Sequence, residues 1–228
     1  MIRNDLDILF EKNQGEGTYF SKCVDCSDNE VINEYLKRLS NIDVVDVIKA
    51  MLDNYIENPV IRLESKDVVQ FSNIDNSTIK LCEHLKYSGN KGYTFEEVGI
   101  LLLDRDRKKE ALMKYGENQS KTAEMLGLAT ISEARPRIVY ISKLGSEILN
   151  LDCNKHEKIL LNLMVRVNIV RFIINKAMKG KVYVKEEIDF LSPKTITRRI
   201  PNVKKLLSYI FNNSETNLDF LFKDIIYK

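Results

Sequence analysis

This chain of 228 residues is short of several things that chemistry usually needs. It has only two histidines, so histidine-based acid–base catalysis or metal binding has little material. It carries no glycine-rich phosphate loop, no Ser/His/Asp set and no HExxH pattern. No window of about 18 apolar residues occurs, which excludes a membrane-spanning helix. The start, Met1-Ile2-Arg3-Asn4-Asp5-Leu6-Asp7, lacks a charged stretch followed by an apolar one, so no secretory signal is expected. Four cysteines include a single CxxC, Cys23-Val24-Asp25-Cys26. In an unsecreted chain these read as reduced thiols. Together these absences predict a cytoplasmic protein with no membrane partner.

What is present is charge, unevenly distributed. The net charge is +2, but residues 1–76 hold 8 Lys/Arg against 15 Asp/Glu, and residues 77–228 hold 27 against 18. Phosphate binding depends on local positive potential rather than on the total. The split therefore points to a nucleic-acid partner for the second part. It predicts an acidic N-terminal segment over 1–76 of unassigned role, suited to a protein partner or to self-association.

The pattern of residues 77–228 repeats one layout: helix, short helix, basic helix, then a hairpin-like or strand-like tail. The expected domains are 1–76, 77–152 and 153–228. In the N-terminal segment, Tyr35, Leu39, Val44, Val45, Ile48 and Leu52 predict a helix over Val31–Tyr55, closed by Asn58-Pro59. Val60–Leu63 and Val68–Phe71 read as short strands. In the first module, Ile79, Cys82 and Leu85 share a helical face, and Thr94 with Glu97 forms a capping box. Thr130-Ile131-Ser132 and Arg137–Ser142 predict strands joined by the turn Glu133-Ala134-Arg135-Pro136, followed by a helix over Leu144–Leu149.

The second module predicts one long helix over Glu157–Met178, a second over Tyr183–Phe190, and a third that Ser192 caps and Pro193 opens. Ile196, Ile200, Val203, Leu206, Leu207 and Ile210 form its inner stripe. Pro201 lies within it and predicts a kink or a split. The fold class that follows is mainly α with small β-hairpin wings (α+β): two winged-helix modules and an N-terminal α/β segment.

An α-helix fits the major groove, where Arg reads guanine and Asn reads adenine. On the third helix the candidate DNA contacts are Lys194, Thr195, Thr197, Arg198, Arg199 and Asn202, with Lys204 and Lys205 placed for phosphate. In the first module they are Arg105, Arg107, Lys108, Lys109, Asn118, Gln119 and Lys121, with Arg135 and Arg137 in the wing. Zinc would require Cys23 and Cys26 to join Cys153 and His156 across a long stretch of sequence, and ordinary thiols are the simpler reading. Glu64-Ser65-Lys66 matches half of the pattern by which some nucleases hold Mg²⁺, but no convincing acidic partner precedes it; Asp53 and Glu57 are poor substitutes.

The stretches Lys114-Tyr115-Gly116-Glu117-Asn118-Gln119-Ser120-Lys121, Ala134–Ser142 and Leu191–Ile200 resemble tandem winged-helix regions of bacterial restriction-modification proteins. The similarity spans about residues 74–215. There such regions are the DNA-recognition parts of type II restriction endonucleases and related defence proteins. The resemblance implies a recognition or accessory component that binds double-stranded DNA without catalysis or cofactor. A small Mg²⁺-dependent endonuclease and a winged-helix protein-interaction module are the alternatives. Pro201 departs from the pattern of an unbroken recognition helix.

Overall fold

The computed structural model describes residues 29–49, 62–68, 70, 77–103, 107–214 and 218–228. It is mainly helical with two small sheets. Contacts divide the chain into two units. A middle unit combines described residues of 11–38 with those of 71–156, and a C-terminal unit combines those of 39–70 with 157–228.

Helix α1 (Asn29–Asn41) ends before Asp43, and helix resumes at residue 44. The single helix expected over Val31–Tyr55 is thus interrupted. The Asp43 carboxylate accepts a hydrogen bond from the Val45 nitrogen at 2.7 Å, which is how a short acidic side chain restarts a helix. Tyr35, Leu39, Val44, Val45 and Ile48 are all buried, as their spacing predicts. Residues 50–61, with the expected Asn58-Pro59 stop, lie outside the described residues, and so do parts of both expected strands. The described remainder is no strand. Residues 64–67 form a turn in which the Asp67 carboxylate accepts from the Glu64 nitrogen at 2.7 Å.

The middle unit runs α2 (Ser77–Ser88), β1 (Tyr93–Thr94), α3 (Phe95–Leu102), α4 (Lys109–Met125), β2 (Ala129–Ile131), β3 (Ile138–Ile141) and α5 (Lys143–Ile148). Its strands form one antiparallel sheet in the order β1-β3-β2. Tyr93 faces Val139, and Ile131 faces Val139 from the other side. Thr94 caps α3 as expected. Its hydroxyl accepts from the Glu97 nitrogen, and the Glu97 carboxylate accepts from the Thr94 nitrogen at 2.7 Å. Between β2 and β3 the Ser132 hydroxyl accepts from the Ile138 nitrogen at 2.8 Å. At the root of the hairpin Ser142 donates to the Gly127 carbonyl at 2.7 Å and caps α5 by accepting from the Gly145 nitrogen.

The C-terminal unit runs α6 (Cys153–Val165), α7 (Asn168–Lys179), β4 (Val182–Tyr183), α8 (Val184–Glu187), α9 (Pro193–Asn212), α10 (Asp219–Phe222) and β5 (Ile225–Ile226). The helix expected over Glu157–Met178 is two helices, broken at Arg166-Val167. Val167 is extended at the start of α7 (φ −63°, ψ 133°). The sequence is apolar on both sides of the break, so periodicity cannot show it. The helix expected over Tyr183–Phe190 shrinks to α8, because Tyr183 belongs to β4 and residues 188–190 turn towards Ser192.

Pro201 does not split α9, which is one helix of 20 residues. Both Pro201 and Thr197 are exposed. The carbonyl that loses its helical partner therefore lies on the solvent side, where water can serve it. No hairpin follows α9 among the described residues; β5 returns instead and pairs parallel to β4.

The order helix, two-residue strand, short helix, long helix thus occurs twice, as α2-β1-α3-α4 and as α7-β4-α8-α9. A short sequence recurs with it. Tyr93-Thr94-Phe95-Glu96-Glu97-Val98 and Tyr183-Val184-Lys185-Glu186-Glu187-Ile188 share the tyrosine, both glutamates and a final β-branched residue. Val98 and Ile188 are both fully buried. Where the first copy has Thr94 the second has Val184, so the second has no capping threonine, and Glu187 instead accepts from Lys176 at 2.8 Å.

Candidate nucleic-acid interface

Helix α9 carries Lys194, Arg198, Arg199, Lys204 and Lys205 and no acidic residue. Ile196, Val203, Leu206, Leu207 and Ile210 are buried along one side of it. Burying each such side chain contributes roughly 1.5–3 kcal/mol, so this stripe fixes which side of the helix faces out. The exposed residues are Pro193, Lys194, Thr197, Arg198, Pro201, Lys204, Lys205 and Asn212; Arg199 is half-buried. The arginine pair singled out by sequence is therefore unequal, with Arg198 on the outer face.

Several polar candidates on α9 are turned back onto their own helix. Thr195 shares a hydrogen bond with Ser192 at 2.9 Å, Thr197 donates to the Pro193 carbonyl at 3.0 Å, and Asn202 donates to the Arg198 carbonyl at 2.6 Å. An asparagine that reads adenine uses both its amide nitrogen and its oxygen. Asn202 would first have to leave that short bond. Lys204 lies over the Tyr227 ring, its Nζ 5.7 Å from the ring centre. Burial pushes the Tyr227 hydroxyl pKa up to about 12. Beside the N-terminal half of α9 lies a groove of about 570 Å³, floored by Ile196, Ile200 and Pro201 and flanked by Lys185 and Lys228.

Helix α4 differs. It holds three lysines and three glutamates. Lys114 and Lys121 each approach Glu117 at 2.6 Å, and Lys109 reaches Glu96 at 2.9 Å. Burial opposes the charge on Glu117, but the hydrogen bonds from Lys114 and Lys121 outweigh it and hold its carboxyl below the usual range. Glu124 accepts from the Ile131 nitrogen at 3.2 Å, and burial raises its pKa against that bond and against the nearby Lys121 and Arg137.

Asn118 and Gln119 are corrected as direct contacts, for they are buried at 7 % and 0 % exposure. The buried face of α4 is largely small or polar: beside Leu112 it holds Gly116, Asn118, Gln119, Ser120, Thr122 and Ala123. Ser120 donates to the Gly116 carbonyl and Thr122 to the Asn118 carbonyl, which satisfies buried hydroxyls within the helix. Polarity alone could not separate this face from the outer one.

Arg107 and Lys108 stand exposed just before α4, and Arg135 and Arg137 stand exposed in the turn between β2 and β3. Arg105 lies outside the described residues. Among the candidate contacts, those of the middle unit that stand fully exposed without an ion pair lie on a helix approach and a hairpin tip, whereas those of the C-terminal unit lie on the helix itself.

Of the remaining candidates, Asp53 and Glu57 lie outside the described residues. Glu64 and Lys66 pair with each other at 2.8 Å on an exposed turn. That pairing lowers the Glu64 pKa through the hydrogen bond from Lys66 and the charge of Lys66. His156 places Nε2 at 3.0 Å from the Ile148 carbonyl and 3.2 Å from that of Leu151, and Cys153 is exposed. Cys23 and Cys26 lie outside the described residues. No cluster of three or more His, Cys, Asp or Glu suited to a metal occurs among the described residues. No helix described is long and apolar enough to cross a membrane. Compared with family models, with curated proteins and with solved structures, the chain matches none.

Proposed function

We propose that this protein binds double-stranded DNA with sequence preference, as a recognition or accessory component of a restriction-modification or related defence system. The observation that carries the reading is α9: five basic residues, no acidic one, and an inner stripe that presents Lys194, Arg198, Lys204 and Lys205 together at the surface. A helix of this kind fits the major groove, with arginine for base edges and lysine for phosphates. The order α2-β1-α3-α4-β2-β3 with sheet order β1-β3-β2 supports a winged-helix reading of the middle unit, the arginine-bearing hairpin being the wing. The C-terminal unit retains the helix pair and lacks the wing among its described residues. The assignment to a defence system rests on the resemblance of the three sequence stretches.

Binding to a randomised duplex pool, followed by salt titration on a selected sequence and an unrelated one, tests this. About five phosphate contacts would give a log–log slope of about −4 to −5. Absence of binding at about 50–100 mM salt, or a flat salt response, would overturn the reading. Including Mg²⁺ in the same assay separates a binder from a nuclease.

A further inference from the structure

Granting DNA binding, we infer that the two units divide the work: α9 reads the groove, while the middle unit grips the backbone through its hairpin and keeps the outer face of α4 off the phosphates. This deepens the proposed function and rests on it. The two long helices occupy the same place in a repeated layout, so equal roles would be the simple expectation. Their charges argue otherwise. On α4 the outward stripe Lys114, Glu117, Lys121, Glu124 alternates in sign, and one carboxylate holds two lysines at 2.6 Å each. Salt dependence follows the number of phosphates neutralised, at about −0.9 in slope per phosphate. A face with as many carboxylates as ammonium groups contributes nothing to that number. Opening the two pairs would free Lys114 and Lys121 and leave the Glu117 carboxylate facing phosphate.

Helix α9 itself contains no carboxylate. Lys194 and Arg198 lie one turn apart on the outer side, and neither makes an ion pair among the described residues. In the middle unit, the described arginines that no paired carboxylate cancels stand before α4, at Arg107, and on the hairpin, and the hairpin carries two of them. Arg135 and Arg137 flank Pro136 at an exposed tip, and Glu124 accepts from Ile131 in β2 and so ties the end of α4 to the hairpin. Arginines on such a projection meet phosphate or the minor groove.

The test uses the full chain, a preferred duplex and an unrelated duplex, with circular dichroism confirming that each variant is folded. Arg198→Ala is expected to weaken the preferred duplex by about five- to a hundredfold and the unrelated one much less. The double variant Arg135→Ala/Arg137→Ala is expected to weaken both duplexes by the same factor and to make the salt slope shallower by about two. Glu117→Gln and, separately, Lys114→Gln are expected to leave affinity and slope unchanged. If Glu117→Gln tightens binding and steepens the slope, or Lys114→Gln makes it shallower by about one, α4 lies against DNA and the division fails while DNA binding stands. If the hairpin variant changes preference rather than overall affinity, the division likewise fails. If the unaltered protein binds neither duplex, the functional reading itself falls.

Discussion

Gly116 and Gly99 meet backbone to backbone where α4 crosses α3. A Cβ at Gly116 would stand 1.8 Å from the Phe95 carbonyl oxygen and 2.8 Å from the Gly99 nitrogen, and a Cβ at Gly99 would stand 2.0 Å from the Leu112 carbonyl oxygen. Neither neighbour is the end of a movable side chain. The crossing that holds this helix pair together therefore requires glycine on both helices.

Gly116→Ala is accordingly expected to destabilise the middle unit, although alanine is the better helix former by about 1 kcal/mol. Overpacking costs typically about 1–3 kcal/mol, and backbone on both sides of the contact places this site at or above the upper end. Denaturant unfolding measures it. A variant as stable as the parent would mean that the helices separate freely.

Glu117 and Glu124 are expected to respond to pH with opposite signs. The Glu117 carboxyl is held below its usual range, so its contribution is present above the unfolded pKa and is lost as pH falls through the folded one. Glu117→Gln should cost about 0.5–1 kcal/mol at neutral pH and progressively less in acid. The Glu124 carboxyl is raised, so its contribution is present below the unfolded pKa and is lost as pH rises through the folded one. Glu124→Gln, which can still accept from Ile131, should be neutral or stabilising at neutral pH. Unfolding curves at several pH values decide this, and matching trends for the two variants would refute it.

Asn162 is fully buried in the C-terminal unit and donates from Nδ2 to the Leu39 carbonyl at 2.7 Å and to the Ile42 carbonyl at 3.0 Å. It thereby satisfies carbonyls at the end of α1 that the helix itself cannot bond. Asn162→Leu keeps the branching at Cγ and removes both donors. It should cost about 1–3 kcal/mol, the penalty for leaving buried acceptors without a partner. A change below about 0.5 kcal/mol would show that water replaces the amide.

Local signals carried much of this architecture. The Thr94–Glu97 box and the two strands around Glu133–Pro136 each depend on residues a few positions apart, and all are present as read. The inner stripe of α9 was legible for the same reason, with Ile196, Val203, Leu206, Leu207 and Ile210 buried and Ile200 half-buried. Long-range contact decided what was missed. The break at Arg166-Val167 falls in a run buried on several sides, with no proline or glycine to mark a boundary. Asn118 and Gln119 read as solvent-facing because they are polar, yet the helix crossing draws small and polar residues inward. The ion pairs that neutralise α4 join residues three and four apart and could have been anticipated from spacing. The tying of Thr197 and Asn202 to carbonyls four residues back is equally local, and Thr122 bonds the Asn118 carbonyl in the same way.

Ser142 holds both ends of the hairpin root, bonding Gly127 before β2 and Gly145 after β3, while a Cβ at Gly145 would stand only 2.0 Å from the Leu128 carbonyl oxygen. The root is thus welded to the helices, and the tip from Glu133 to Arg137 projects from it as a cantilever. Sequence changes at the tip and changes at the root have separate consequences. Exposed residues 133–137 are therefore expected to accept replacement at less cost to the fold than Ser142 or Gly145, so that the tip is free to vary where the root is not.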